Sequence, residues 1–287
     1  MAYEFVGVTI SVTTDRQILN TQTETDAVAV ATGTTDGDFL FLVVSATEGP
    51  SGGNSIVLSG TGWTALTKQA EQNTPTPDLA AVWAWWKFQE AGAPTSYDVT
   101  YTAGTGSASG YVGPQAALLT YRGFTTYGAS SVDGGFDSPG AYTGAAATAT
   151  VAAQTNTLGA ASLLLIRYGY ALLDNQANNT LAFTTTGITP RVDQRSTVPG
   201  AGHHWIWVGD QEWTSATDFP AADFTTDPVG THFTLMLEYA LATPTAAQTP
   251  SAPPTAAAGV TVPETKLRLK QLPNKVSAAS LDGFLDE

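Results

Sequence analysis

The chain has 287 residues, 43% of them hydrophobic and 10% aromatic, enough apolar mass for one large all-β domain or two small ones. Its 25 acidic and 11 basic residues give a formal charge of −14, a surface that repels nucleic-acid phosphate and makes non-specific DNA or RNA binding an unsuitable role. With no cysteine there is no disulfide framework and no thiolate metal site, so packing and β-ladders must supply the stability.

Met1-Ala2-Tyr3-Glu4-Phe5 lacks a basic n-region and an apolar h-region, so no signal peptide is expected and synthesis in a cytoplasm is. No apolar run approaches the ~20 residues that span a bilayer, which argues against a membrane partner. Tyr3 to Val12 alternates and reads as a first strand, Asp15 to Thr25 as a polar loop, and Asp26 to Thr32 as a second strand. Thr35-Asp36-Gly37-Asp38 is a turn signal. The continuous apolar run Phe39 to Ser45 that follows is the length of a strand and carries apolar residues on both faces, so it predicts a strand buried on both sides. Short strands are expected at Ile56 to Leu58 and from Gly62-Trp63-Thr64-Ala65-Leu66, before a proline-bearing loop, Asn73 to Asp78.

Ala81-Val82-Trp83-Ala84-Trp85-Trp86-Lys87-Phe88 holds three of the seven tryptophans. Trp83 and Trp85 stand two apart, which puts both rings on one face of a strand, taken as the core side. Trp86, beside Lys87, then points outward. Tyr97, Val99 and Tyr101 alternate with polar residues, and Gln115 to Arg122 closes the half.

The second half echoes the first at an offset of about 120 residues. The stretch from Gly159 to Ile166 answers the run after Gly37, Gly187-Ile188-Thr189-Pro190 answers Gly62 to Ala65, and His203 to Asp210, with Trp205 and Trp207, answers the tryptophan strand. Gln211-Glu212 stands where Gln89-Glu90 stood, Thr217-Asp218-Phe219 where Thr95-Ser96-Tyr97 stood, and Thr234 to Tyr239 answers Ala117 to Tyr121. Two pseudo-repeats follow, roughly 26–123 and 145–241, joined by a Gly/Ser/Asp-rich connector from Phe124 to Gly144 that is too long for a hairpin. Neither half has helical periodicity. The repeats could form separate sandwiches or interleave. One antiparallel, jelly-roll-like β-sandwich over 1–242 is favoured, because each half alone has too few strands to cover its second face.

After Ala242 the composition changes. Residues 243–263 are a Pro/Ala/Thr linker. Residues 264–287 carry four of the eleven basic residues, Lys266, Arg268, Lys270 and Lys275, with Leu267, Leu269 and Leu272 spaced for a short strand and Leu281, Phe284 and Leu285 for a helical turn. A linker followed by an amphipathic basic segment is a pattern for tethering to a partner. Lys266, Leu267, Arg268, Leu269, Lys270, Leu272, Leu281, Phe284 and Leu285 are the candidate partner-binding residues of this C-terminal arm.

Reaction chemistry is not announced anywhere. There is no nucleophile elbow, phosphate loop or dinucleotide fingerprint. His203 and His204 are strand neighbours on opposite faces, and with His232 they lack metal-ligand spacing. Asp133, Asp137, Asp218, Asp223 and Asp227 are read as loop carboxylates, but Asp133-Gly134-Gly135-Phe136-Asp137 lacks the alternating ligands of a calcium loop. The expectation is a non-enzymatic protein with no metal and no cofactor. Trp63, Trp86 and Trp213 are the candidates for a surface contact, for which stacking on sugar is one use.

Gly37-Asp38-Phe39-Leu40-Phe41-Leu42-Val43-Val44, Gly62-Trp63-Thr64-Ala65-Leu66, Val82-Trp83-Ala84-Trp85-Trp86-Lys87 with Ala93-Pro94-Thr95-Ser96-Tyr97, and Ala116 to Gly123 resemble a β-sandwich module of tailed-bacteriophage virion proteins. Those are minor tail, fibre or head-decoration components. The likeness covers most of Asp36 to Leu241 and omits the arm. It implies a structural or host-contact role in the virion, other virion proteins and further copies of the chain as partners, and no catalytic residues to carry over. The alternative is a carbohydrate-binding adhesin facing a host-surface glycan.

Overall fold

The computed structural model describes residues 3–12, 22–48, 55–66, 69–72, 79–104, 115–124, 133–137, 141–144, 147–151, 153, 156, 163–173, 180–183, 187–198, 202–215, 217–227 and 230–242. They are all-β. The strands are β1 (Glu4–Val12), β2 (Thr23–Ala29), β3 (Phe39–Glu48), β4 (Ser55–Leu58), β5 (Thr64–Ala65), β6 (Gln69–Gln72), β7 (Leu79–Phe88), β8 (Ser96–Thr102) and β9 (Gln115–Arg122) in the first half. In the second they are β10 (Asp133–Asp137), β11 (Ala141–Gly144), β12 (Ala147–Val151), β13 (Leu163–Leu173), β14 (Thr180–Phe183), β15 (Thr189–Val198), β16 (Gly202–Trp213), β17 (Ala222–Asp227) and β18 (Gly230–Ala242). Among the described residues no helix is long and apolar enough to cross a membrane.

The strands form four antiparallel sheets. A six-stranded sheet runs β1-β9-β3-β7-β5 with β6 also on β7, and a three-stranded sheet runs β2-β8-β4. The second half gives a six-stranded sheet β10-β18-β13-β16-β15, with β11 also on β18, and a three-stranded sheet β12-β17-β14. The strand order is the same in both halves. No sheet mixes strands of the two halves, so they do not interleave as the two sheets of a single jelly roll. They meet face to face instead.

β3 explains the arrangement. Its side chains alternate between two cores, as the period of two requires. Phe39, Phe41 and Val43 join Ala84, Leu119 and Tyr121 in a cluster that also contains Leu164, Ile166, Tyr168, Ile206 and Val208 of the second half. Leu40, Leu42 and Val44 join Val28 of β2 and Tyr97 and Val99 of β8 in the first half's own sandwich. All six side chains are buried, as expected for a strand covered on both sides. β13 divides in the same way, with Leu164, Ile166 and Tyr168 in the shared cluster and Leu163 and Leu165 against Phe219. Each half thus covers one face of its large sheet with its own three-stranded sheet and the other with the opposite half. Phe41 and Tyr168 meet edge to face across the seam at 5.5 Å.

Three boundaries differ from the sequence reading. β2 begins at Thr23, within the expected loop, because Thr23 and Thr25 pair with Thr102 and Thr100 of β8 through hydroxyl contacts of 3.0 and 2.9 Å. The connector after Phe124 contains β10 and β11, which extend the second large sheet along β18. Asp133 and Asp137 therefore bound a strand, and Asp223 and Asp227 lie in β17, where loops were expected.

Candidate functional site

Of the residues singled out for binding, the arm residues Lys266, Leu267, Arg268, Leu269, Lys270, Leu272, Leu281, Phe284 and Leu285 lie outside the described residues. The three tryptophans are half-buried, each with partners inside the fold. Trp86 does not face solvent. The side of β7 away from Trp83 and Trp85 is covered by the second half, and Trp86 packs in the shared cluster beside Phe39 and Phe88. Trp213 packs on Phe219 at 6.2 Å and donates its indole N–H to Thr217 O at 3.2 Å. Trp63 meets Tyr97 edge-on at 5.1 Å and donates to Ser59 O at 3.3 Å. Each packs inside the fold and keeps part of its surface accessible. Trp83 and Trp207, read as core, are buried, and Trp85 packs against the sandwich cluster.

Trp63 belongs to a cage around a buried cation. Lys87 is 4% exposed, and its ammonium donates to Thr61 O at 2.7 Å. The ammonium lies 5.3 Å from the Tyr97 ring centroid and 5.7 Å from that of Trp63, so two π-faces and a carbonyl replace its water. Burial, then the charge of Glu90, push the Tyr97 phenol above its ordinary range. The second half solves the same problem differently. Lys87 pairs across the ladder with Leu40, whereas Gly209 pairs with Arg167. In the second half the buried cation stands on β13, the strand paired with β16. Arg167, 1% exposed, donates to Gln211 Oε1 and Pro220 O, both at 3.2 Å. Gln89 Oε1, the counterpart of Gln211 Oε1, accepts from the Tyr97 hydroxyl at 2.9 Å, and Phe219 has no hydroxyl to offer in that place.

A cleft of about 370 Å³ opens at the end of the first sandwich, between the β2–β3 and β7–β8 turns. One wall is Val30 to Asp36 and the other Gln89, Glu90 and Gly92 to Thr95. Its framework is fixed from behind. Buried Asp38 accepts from Arg122 Nε and Nη2 at 2.9 and 2.8 Å and from Thr35 N at 2.8 Å, and Arg122 donates to Gly33 O at 2.8 Å. Those bonds raise the Arg122 pKa, with the Asp38 hydrogen bond as the leading cause. Gly37 N donates to Gln89 O and Val30 N to Thr95 O, both at 2.8 Å, tying the two turns together. Gly33 and Gly92 at the rim have φ of 92° and 71°, open to glycine at little strain. The residues that line the cleft include Thr32, Thr34, Thr35, Asp36, Gln89, Glu90 and Thr95.

At the seam, Arg191 of β15 donates to buried Asp210 of β16 at 2.7 Å, and its guanidinium stacks 4.0 Å over the Phe5 ring of β1. Burial, and then the Asp210 charge, push the Tyr3 and Tyr121 phenols well up; burial alone does so for Tyr168. None of these tertiary groupings carries a local sequence signal, because each joins residues from distant strands. β13 stands between β16 and β18 and so separates His203 from His232 by two strand spacings, roughly 10 Å. Among the described residues no three His, Asp or Glu come together as a metal set.

No protein-family model, curated protein or solved structure matches the chain.

Proposed function

We propose that the chain is a structural component of a tailed-bacteriophage virion, a decoration, tail or fibre protein displayed on the particle and anchored through its C-terminal arm. The observation that carries this reading is the division of the chain. A compact unit extends from Met1 to Ala246 and contains every described strand, while the basic, leucine-bearing segment 264–287 lies beyond it, across a proline-rich linker. The resemblance rests on residues that form β3, β5, β7 and β9, so it speaks to the body, and the arm is left as the part free to differ with the partner. The shared strand order of the two halves supports an origin by internal duplication. Copies of the chain truncated after Ala246, supplied during particle assembly, test the anchor: the body is expected to stay folded and soluble and to be missing from purified particles. Incorporation at the full-length level would sink the proposal.

A carbohydrate-binding role is the second reading, and the cleft between the β2–β3 and β7–β8 turns is the observation that favours it. Trp86 and Trp213 have packing partners within the fold, so substitutions in the cleft are the cleaner test. Glycan binding that survives Asp36→Ala with Glu90→Ala would remove the site from this role.

A further inference from the structure

Among the described residues, buried side-chain polar atoms with no hydrogen-bond partner include Ser45 Oγ, Trp86 Nε1 and both amide atoms of Gln115. All lie on one face of the first large sheet, the face turned to the second half. Ser45 continues the row of Phe39, Phe41 and Val43 on β3, and Gln115 the row of Ala117, Leu119 and Tyr121 on β9. Among the described residues, the opposite face of the same sheet contributes none. Two of the residues are also direct neighbours, since Ser45 and Gln115 are cross-strand partners. Partners in register share a face with Cβ atoms about 5 Å apart. Each is 1% exposed.

A buried primary amide without partners is strongly unfavourable, and the ladders leave it little relief. The backbone groups of β9 at this end are engaged by β1 and β3. The adjoining residue of the row on β7, Val82, offers no polar atom. The three atoms offer an amide NH2 with two donors, an amide oxygen that accepts and a hydroxyl that can do either, so one water can engage all three atoms. That is the partner set of a single enclosed water, which makes about three hydrogen bonds when buried.

We infer that Ser45 and Gln115 build an enclosed-water site in the seam between the two large sheets, so that the seam is dry at its Phe41–Tyr168 centre and hydrated at this end. The water accepts from Gln115 Nε2, donates to Gln115 Oε1, and exchanges a hydrogen bond with Ser45 Oγ. The site is a fixed feature of how the halves meet, closed to larger ligands by the burial of both side chains.

Water-oxygen magnetic relaxation dispersion on the full chain counts long-lived internal waters. The double variant Ser45→Ala, Gln115→Met replaces the polar set with side chains of similar size. The dispersion amplitude is expected to fall by one water relative to the unsubstituted chain, with the far-ultraviolet circular dichroism unchanged. An unchanged amplitude in a folded variant overturns the inference. Should the variant not fold, a high-resolution crystal structure of the unsubstituted chain decides: a peak within about 3 Å of Ser45 Oγ and the Gln115 amide supports the site, and an amide bonded to protein atoms alone refutes it.

Discussion

Phe41 and Tyr168 are the most direct handle on the face-to-face arrangement, because they come from different halves and touch at 5.5 Å with both side chains buried. Truncating Phe41 to alanine removes a fully buried ring and is expected to destabilise the body by about 3–5 kcal/mol. For a body of this size that lowers the melting temperature by on the order of 10 °C. Loss of stability alone would not locate the ring, so a double-mutant cycle is the better assay. Phe41→Leu and Tyr168→Leu keep apolar bulk while removing the aromatic pair. Their coupling is expected at about 0.5–1.5 kcal/mol, the usual value of an edge-to-face contact beyond its area. Leu42 is the internal control. It is next to Phe41 in sequence but points into the first sandwich, so Leu42→Ala combined with Tyr168→Leu should be additive within about 0.5 kcal/mol. Urea unfolding of the full chain measures all of these. Additivity for Phe41 with Tyr168, or equal coupling for both pairs, would refute the packing of the two large sheets described above.

Stability should fall as pH rises above about 10, the ordinary tyrosine range: Tyr121 and Tyr168 are held neutral by burial, so unfolding there releases protons. Each contributes about 1.4 kcal/mol per pH unit from its unfolded pKa until its raised folded pKa is reached, and Tyr121→Phe should flatten the slope in melts between pH 9 and 12. A slope unchanged by that substitution would show that Tyr121 does not carry the effect. Gly209→Ala should be strongly destabilising, since a Cβ there would lie 2.2 Å from the Trp207 ring and 2.7 Å from Ile188. A thermal melt within 1–2 °C of the unsubstituted chain, roughly the effect of under 1 kcal/mol, would show that the ring moves aside.

The strand inventory was legible because it depends on local pattern. The run Phe39 to Ser45 declared a doubly buried strand by its length and lack of alternation, and the absence of helix among the described residues agrees with the missing helical periodicity. What the pattern could not supply was which side of a strand meets water. Parity correctly put Trp83 and Trp85 on one face and Trp86 on the other, but parity assigns faces only relative to each other. In four stacked layers both faces of β7 are interior, so the inference that Trp86 points outward failed. Lys87 misled in the same way. A lysine beside a tryptophan suggests an exposed face, yet Thr61 O and two rings satisfy its ammonium inside the first sandwich. β10 and β11 were hidden because they are short, β10 is mostly Gly and Asp, and the connector around them is rich in Gly, Ser and Asp; they exist through pairing with β18 rather than through propensity. The cleft was illegible for a further reason. Its walls are two turns more than fifty residues apart in sequence, brought together by Asp38, Arg122 and Gln89.

The claim on which everything else rests is that the two halves share one core and unfold as one body. Native-state hydrogen exchange under mild urea, read strand by strand, tests it most directly. The central strands β3, β9, β13 and β18 are expected to exchange at a common, global free energy, with edge strands such as β4 opening more easily. Protection that separates β3 and β9 from β13 and β18, with one half unfolding while the other stays intact, would contradict it.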